Sequence, residues 1–261
     1  MKERKAIDNI AVVLNRPKHE GNIGSAARCA MNMGIEHLVV VRRSDYDRGK
    51  ILQMATHFAA PIIDSIRYAE DLREALAPFQ YIVGTTSRAG NTNLKRAMTD
   101  PRSMGVSLAV MAPKNKVALL FGPEDRGLTN DELTLCDLIV SIPTEDRMRS
   151  INLSHAVMLI CYEAYRAVGE VRAPFSPRLA TVAEREKMYD LLRDTLLRIN
   201  FINPQNPEYS MVSIRQFLSR SELTAKDVKI IMGLCRQIEL YGKGKTKDLT
   251  FNTGKLKKSG T

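Results

Sequence analysis

The chain of 261 residues contains no tryptophan, few aromatic residues (6%) and only four cysteines, Cys29, Cys136, Cys161 and Cys235, all far apart in sequence. That separation excludes the close pairings of a structural zinc site, so no metal is expected. The cysteines sit within apolar patterns and are expected as buried free thiols. No apolar run approaches the roughly 20 residues of a membrane-crossing helix. The first residues, Met1 to Asp8, are charged where a secretory signal would be apolar. A cytoplasmic protein with no membrane partner is therefore expected. Acidic residues are also short: 29 Asp and Glu face 39 Lys and Arg, a net charge of +10. Such an imbalance favours a polyanionic partner, and without an apolar anchor nucleic acid comes before membrane.

Apolar, β-branched runs recur at Ile10–Leu14, Leu38–Val41, Tyr81–Gly84, Val117–Phe121 and Leu138–Ile142, with helical patterns between them. The alternation predicts an α/β domain over residues 1–170 with a parallel sheet covered on both faces. Asp64 is expected to cap a helix carrying Ile66, Ala69, Leu72 and Leu76. Thr129 with Glu132 forms a capping box. A long helix over Asn152 to Val168 is expected to bury Val157, Leu159, Ile160 and Cys161. Residues 171–180 read as a linker, because prolines interrupt a stretch without apolar period. Residues 181–241 read as a helical extension, opened by a Thr181–Glu184 capping box and carrying Met188, Leu191, Leu192, Leu196 and Ile199 on one face. It is too thin to hold a strong core alone and should dock elsewhere. Residues 242–261 hold six lysines and one aspartate, a disordered basic tail.

Three segments carry chemistry. In the first, Gly21-Asn22-Ile23-Gly24-Ser25-Ala26-Ala27-Arg28 follows the first strand as a loop opening a helix. Its glycines admit a ligand or another backbone, and Arg28, on the first turn, calls for an anion or water. A dinucleotide cradle would need a third glycine and an acid about 20 residues on. Both are missing, although Arg42 and Arg43 leave an NADP reading open. In the second, Phe121-Gly122-Pro123-Glu124-Asp125-Arg126-Gly127-Leu128, Pro123 ends a strand at the carboxyl edge of the sheet, where open α/β sheets bind ligands. Gly122 permits approach to a flat ligand and Glu124 offers a carboxylate; an ordinary turn would look the same. In the third, Ile142-Pro143-Thr144 leads through Arg149-Ser150-Ile151-Asn152-Leu153 into the long helix. Ser150 and Asn152 suit an N-cap, and free backbone N–H groups there could read an adenine and a carboxylate. Gly84-Thr85-Thr86-Ser87-Arg88 also follows a strand directly.

Taken together, Asn22-x-Gly24-x-x-x-Arg28, Phe121-Gly122-x-Glu124-x-x-Gly127-Leu128 and Ile142-Pro143…Ser150-x-Asn152-Leu153-Ser154-x-Ala156 resemble the motifs of the SpoU/TrmH-type RNA 2′-O-ribose methyltransferases of the SPOUT superfamily. The helical extension resembles that of the TrmJ branch, which modifies the anticodon loop of tRNA. The resemblance implies a parallel-sheet domain with a C-terminal trefoil knot, a homodimer, and S-adenosyl-L-methionine as donor. It implies methylation of a cytidine or uridine ribose, at position 32 of tRNA, with rRNA or another tRNA site as alternatives. It assigns donor binding to Thr85, Thr86, Ser87, Gly122, Ile142, Arg149, Ser150, Ile151 and Leu153, and RNA contacts to Asn22, Arg28, Arg88 and Glu124. Arg28, with Ser150 and Asn152, would carry the catalysis. A non-catalytic RNA-binding module and an NADP-linked oxidoreductase are the readings of other classes.

Overall fold

The computed structural model describes residues 6–42, 45–87, 98–145, 147–170 and 178–242. Its sheet is built from β1 (Ile10–Asn15), β2 (His37–Val41), β3 (Arg67–Ala69), β4 (Tyr81–Thr85), β5 (Met98–Thr99), β6 (Val117–Phe121) and β7 (Leu138–Val140). All pairings are parallel, in the order β3-β2-β1-β6-β4-β7-β5. The helices are α1 (Glu20–Asn32), α2 (Arg48–Ala55), α3 (Ala60–Asp64), α4 (Leu72–Leu76), α5 (Pro101–Met111), α6 (Asn130–Leu133), α7 (Leu153–Glu170), α8 (Val182–Arg198), α9 (Pro207–Leu218) and α10 (Ala225–Gly242).

Alternation along the strands makes two cores. Ile10, Val12, Leu14, Val40, Leu119 and Phe121 face one side, together with Ile23 of α1, Leu108 of α5 and Val157 and Ile160 of α7. Ala11, Val13, Val41, Ile82, Leu120 and Ile139 face the other, under Leu76, Leu133 and Val182. With every central strand covered twice, the apolar runs are continuous, as buried parallel strands require. Each such side chain contributes about 1.5–3 kcal/mol when fully buried.

Several elements differ from the sequence expectation. The helix expected from Asp64 is replaced by β3, whose residues Arg67, Tyr68 and Ala69 pair with Val39, Val40 and Val41. Asp64 ends α3, and Asp71 caps the short α4 by accepting from Glu74 N. Pairing to an open sheet edge overrides helical spacing here. The strand expected to reach Ile142 stops at Val140, and the short β5 beside it had no apolar signature. Leu159 is 44% exposed and Ile199 49% exposed, against the expectation of inward faces. Cys136, Cys161 and Cys235 are buried and Cys29 half-buried, all as free thiols.

The opening motif is also different. Residues 21–25 are not a loop, because α1 begins at Glu20, and Arg28 therefore lies beyond its first turn. Gly24 is needed by the neighbouring helix: a Cβ there would lie 2.1 Å from the Ile51 carbonyl oxygen of α2.

The extension packs α8, α9 and α10 around Met188, Tyr189, Ile202, Met211 and Val228. It docks on the sheet domain. Val182 N donates to Phe79 O at 2.9 Å, Glu186 links Arg73 to Arg215, and Arg185 forms a two-pronged ion pair with Asp137. Leu179 and Ala180, at the end of the stretch read as linker, are buried. The expected tail, apart from Gly242, and residues 171–177 lie outside the described residues. Among the described residues no helix is long and apolar enough to cross a membrane, and no group of three or more His, Cys, Asp or Glu side chains is placed to hold a metal ion.

Candidate functional site

Three strands end side by side at the carboxyl edge, and the segments that leave them enclose a cleft of about 270 Å³. Thr85 ends β4, and Thr86 and Ser87 follow it. Gly122 to Gly127 follow β6, and Ile142, Arg149, Ser150, Ile151 and Leu153 lie between β7 and the start of α7. All nine residues assigned from sequence to donor binding therefore line one cleft. Phe121, Pro123, Asp125, Arg126 and Ala156 line it too and were missed. Their signal was weak, because a proline turn and a charged pair look like any surface turn. Arg88 lies outside the described residues.

Local chemistry shapes the walls. The Thr85 hydroxyl donates to Leu120 O at 3.2 Å, and Thr86 N donates to Val140 O at 2.9 Å. These bonds tie the first wall to both neighbouring strands. Gly122 lines the cleft, and its lack of a side chain also has a cause within the chain. A Cβ there would lie 2.2 Å from Gly127 C and 2.4 Å from Leu128 N. The loop after β6 folds back on itself, and only glycine leaves room for the return.

Glu124 is the junction of the motifs. Its carboxylate accepts from Lys18 N at 2.7 Å, His19 N at 3.3 Å and Asn22 Nδ2 at 2.8 Å. Burial opposes its ionisation. The bonds from Asn22, Lys18 and His19 outweigh that and hold the carboxyl below its ordinary value. Lys18 also pairs with Asp125. Asn22 Oδ1 accepts a long bond, 3.5 Å, from Asn152 Nδ2. Asn152 Oδ1 in turn accepts from Ser154 N at 2.9 Å and Ser154 Oγ at 2.7 Å, capping α7. Asn22, Glu124 and Asn152 thus form one chain of contacts across all three motifs. Their polar atoms bind protein.

A second hub lies behind the cleft. Glu132 closes the capping box with Thr129 and accepts from Asn15 Nδ2 at 2.8 Å and from Arg126 at 3.1 and 3.2 Å. Asn15 is only 2% exposed. Burial works against the Glu132 carboxylate, but the Arg126 and Thr129 bonds lower its pKa nonetheless.

Arg28 stands apart. It is exposed on α1, does not line the cleft, and forms no hydrogen bond or ion pair with any described residue. The next residue, Cys29, contacts the start of α7, its thiol 3.5 Å from Ser154 O. Neither Ser150 nor Asn152 contacts Arg28 within this chain. A cation is presented outward beside a cleft made of loops.

Comparison with known proteins gives these observations a context. Residues 9–162 match the SpoU rRNA Methylase family, and residues 183–249 match the C-terminal domain of the tRNA methyltransferase TrmJ. The tRNA (cytidine/uridine/adenosine-2′-O-)-methyltransferase TrmJ of Pseudomonas aeruginosa is 32% identical, over 91% of this chain and 96% of its own length. The tRNA (cytidine-2′-O-)-methyltransferase TrmJ of Methanocaldococcus jannaschii is 31% identical, over 85% and 96%. In structure, TrmJ from Z. mobilis ZM4 shares the fold at a TM-score of 0.76 and 24% identity, over 88% of this chain and 98% of its own. A methylase family protein from Haemophilus influenzae Rd KW20 superposes at a TM-score of 0.58 and 26% identity, over 92% of this chain and 100% of its own.

Proposed function

The chain belongs to the SpoU rRNA Methylase family, with a C-terminal segment of TrmJ type, and from this we propose that it transfers a methyl group to a ribose 2′-hydroxyl of tRNA. The carrying observation is the convergence of nine residues from three strand ends on one cleft, with an exposed arginine outside it that pairs with no described residue. Cytidine is in the name of each of these relatives, with uridine and adenosine added in the Pseudomonas aeruginosa one, which supports a pyrimidine target first. The proposal extends to position 32 of the anticodon loop.

S-adenosyl-L-methionine is the proposed donor, supplying a methyl group activated on a sulfonium. The cleft fits it in chemistry: Ile142, Ile151, Leu153 and Ala156 offer an apolar wall for an adenine, while Thr86, Ser87 and Ser150 bring hydroxyls. Its volume is near the lower end for small-molecule sites, about 300 Å³. Arg28 clamps the RNA phosphate beside the target ribose and stabilises the developing alkoxide, and that phosphate accepts the proton the 2′-hydroxyl gives up as its oxygen gains the methyl group. A guanidinium stays protonated in proteins and offers donors only, so it cannot serve as a free base. In-line transfer then draws on positioning and charge stabilisation. Asn22, Glu124 and Asn152 act through the loops they hold; their observed partners argue for a positioning role.

Arg28 is exposed and makes no hydrogen bond or ion pair with any described residue, which favours a site completed by a second copy. The exposed Leu159, Tyr162 and Tyr165 on α7, and the buried Arg166 Nε without an acceptor beside them, support a homodimer. The order β4-β7-β5 places the last strand between two strands joined by residues 86–97, which supports a threaded, knotted C-terminus. Radiolabelled methyl transfer to bulk tRNA, with mapping of the modified ribose, tests the reading. Label on a base, or none at all, would overturn it.

A further inference from the structure

The carboxyl edge continues beyond the donor cleft. Beyond β1, a second cleft of about 310 Å³ opens at the ends of β2 and β3, with Arg42, Asp45, Tyr46, Arg48, Asp64 and Tyr68 in its walls. None of these residues belongs to the site described above. The Arg42 guanidinium lies over the Tyr68 ring, 4.6 Å from its centroid. Arg42 N donates to Ala69 O at 2.8 Å, so the pair is anchored on two adjacent strands. The Tyr46 hydroxyl donates to Pro17 O at 2.7 Å. The cleft therefore shares a wall with the segment that leads from β1 into the first motif. In that segment Arg16 adopts a left-handed conformation, φ 52°, with its N–H bonded to Val41 O at 3.1 Å.

The charges decide what fits. Asp64 is committed to Arg48, whose Nε donates to it at 2.9 Å. Among the described residues the ion-pair partner of Arg42 is Asp45, at 3.6 Å, and the Asp45 side chain is 98% exposed. An ion pair so solvated is weak and yields to a better anion. A guanidinium stacked on an aromatic ring keeps its in-plane donors free, in the fork geometry that matches a phosphate.

We propose that this cleft is a second RNA-contact site, where Arg42 grips a backbone phosphate and the Arg42–Tyr68 stack carries a neighbouring base of unpaired RNA flanking the target nucleotide. The proposal rests on the reading of the chain as an RNA methyltransferase. Stacking tolerates any base and phosphate contacts carry no sequence information, so the site supplies affinity and strand direction. Together with Arg28 it gives a flexible strand two phosphate grips, which restricts the strand's path.

The test is tRNA binding by the full chain over a range of salt, with donor binding followed by calorimetry as a check of the fold. Arg42→Gln is expected to weaken binding about five- to tenfold near 0.1 M salt and to lower the salt slope by about one. Tyr68→Leu is expected to weaken binding about tenfold with the slope unchanged, and Tyr68→Phe to restore it. For both Arg42→Gln and Tyr68→Leu, KM for tRNA rises while kcat at saturating tRNA is kept. Should Arg42→Gln disturb donor binding, Arg42→Lys takes its place, with the slope kept and affinity lowered severalfold. Arg42 and Tyr68 variants that bind within twofold of wild type, in a wild type that binds and methylates tRNA, overturn the proposal. A wild type that neither binds nor methylates tRNA instead defeats the functional reading beneath it.

Discussion

The side-chain amide of Asn22 donates to the carboxylate of Glu124 at 2.8 Å, across 102 residues of sequence. This bond joins the first turn of α1 to the loop after β6. Because Glu124 also takes the N–H groups of Lys18 and His19, it satisfies backbone donors that a helix start leaves open. Replacement by glutamine turns one acceptor oxygen into a donor and leaves N–H groups unmet. Glu124→Gln is expected to cost about 1–3 kcal/mol, lowering Tm by roughly 3–10 °C in calorimetry. Its kcat should fall more than its affinity for tRNA, since the loss is in loop position.

The same bonds give a pH dependence with a definite sign. The folded-state pKa of Glu124 is depressed, by the Asn22, Lys18 and His19 bonds winning over burial. Its contribution to stability is therefore complete above the unfolded value, about 4.3. It is lost as pH falls through the lower folded value. Urea unfolding of wild type and Glu124→Gln should differ most at neutral pH and converge in acid. A gap that widens below pH 4 would show that Glu124 ionisation is not what stabilises the loop.

Gly122 and Gly24 separate two uses of glycine. A methyl group at Gly122 collides with the backbone of Gly127 and Leu128, and one at Gly24 collides with the Ile51 carbonyl. Both alanine variants should lose about 1–3 kcal/mol from overpacking. Only Gly122→Ala opens the loop that walls the cleft. Donor affinity measured by calorimetry should fall tenfold or more for Gly122→Ala and stay near wild type for Gly24→Ala.

Much of this was legible in the sequence because it is local. The five apolar runs, the Thr129–Glu132 and Thr181–Glu184 capping boxes and the loops after strands follow from chain-neighbour patterns. The misread parts depend on distant partners. Ile66 to Ala69 has helical spacing, yet an edge beside β2 offers hydrogen bonds that the isolated segment cannot show. The start of α1 was read too late because its N-terminal support comes from Glu124. Gly24 meets another backbone, one of the two partners left open for it, but that this is Ile51 of α2 is invisible to a scan along the chain. Residue types at the cleft were legible through a family resemblance, but the hubs at Glu124 and Glu132 emerge only in three dimensions.

The extension is held by a pair of different character. Arg185 and Asp137 are only 15% and 14% exposed in their side chains, and Asp137 also accepts from Ile82 N at 2.8 Å. Burial opposes the Arg185 charge, but Asp137 raises its pKa. Removing one partner from a buried pair costs about 3–5 kcal/mol, because the other charge is left behind. Arg185→Ala should accordingly loosen α8 from the sheet domain, seen as faster amide exchange at Val182 and Ala183, whose N–H groups bond to Phe79 and Ala77. The double change Arg185→Met with Asp137→Asn should recover part of the loss, since it leaves no lone charge.

Arg28 offers the sharpest separation of chemistry from structure. It makes no hydrogen bond or ion pair with any described residue, so its replacement should leave Tm within about 1 °C, as at other exposed positions. Arg28→Lys retains the charge and loses the planar fork. If the fork stabilises the developing alkoxide, kcat should fall by about 10²–10³, with tRNA affinity reduced far less. A lysine variant that methylates at the wild-type rate removes the fork from the mechanism. Mixing Arg28→Ala chains with Gly122→Ala chains then asks whether sites are shared. In a mixed dimer one site draws its donor cleft from the first chain and its arginine from the second. Activity recovered toward half of the wild-type level per mixed dimer is expected, and none is recovered if each chain serves itself.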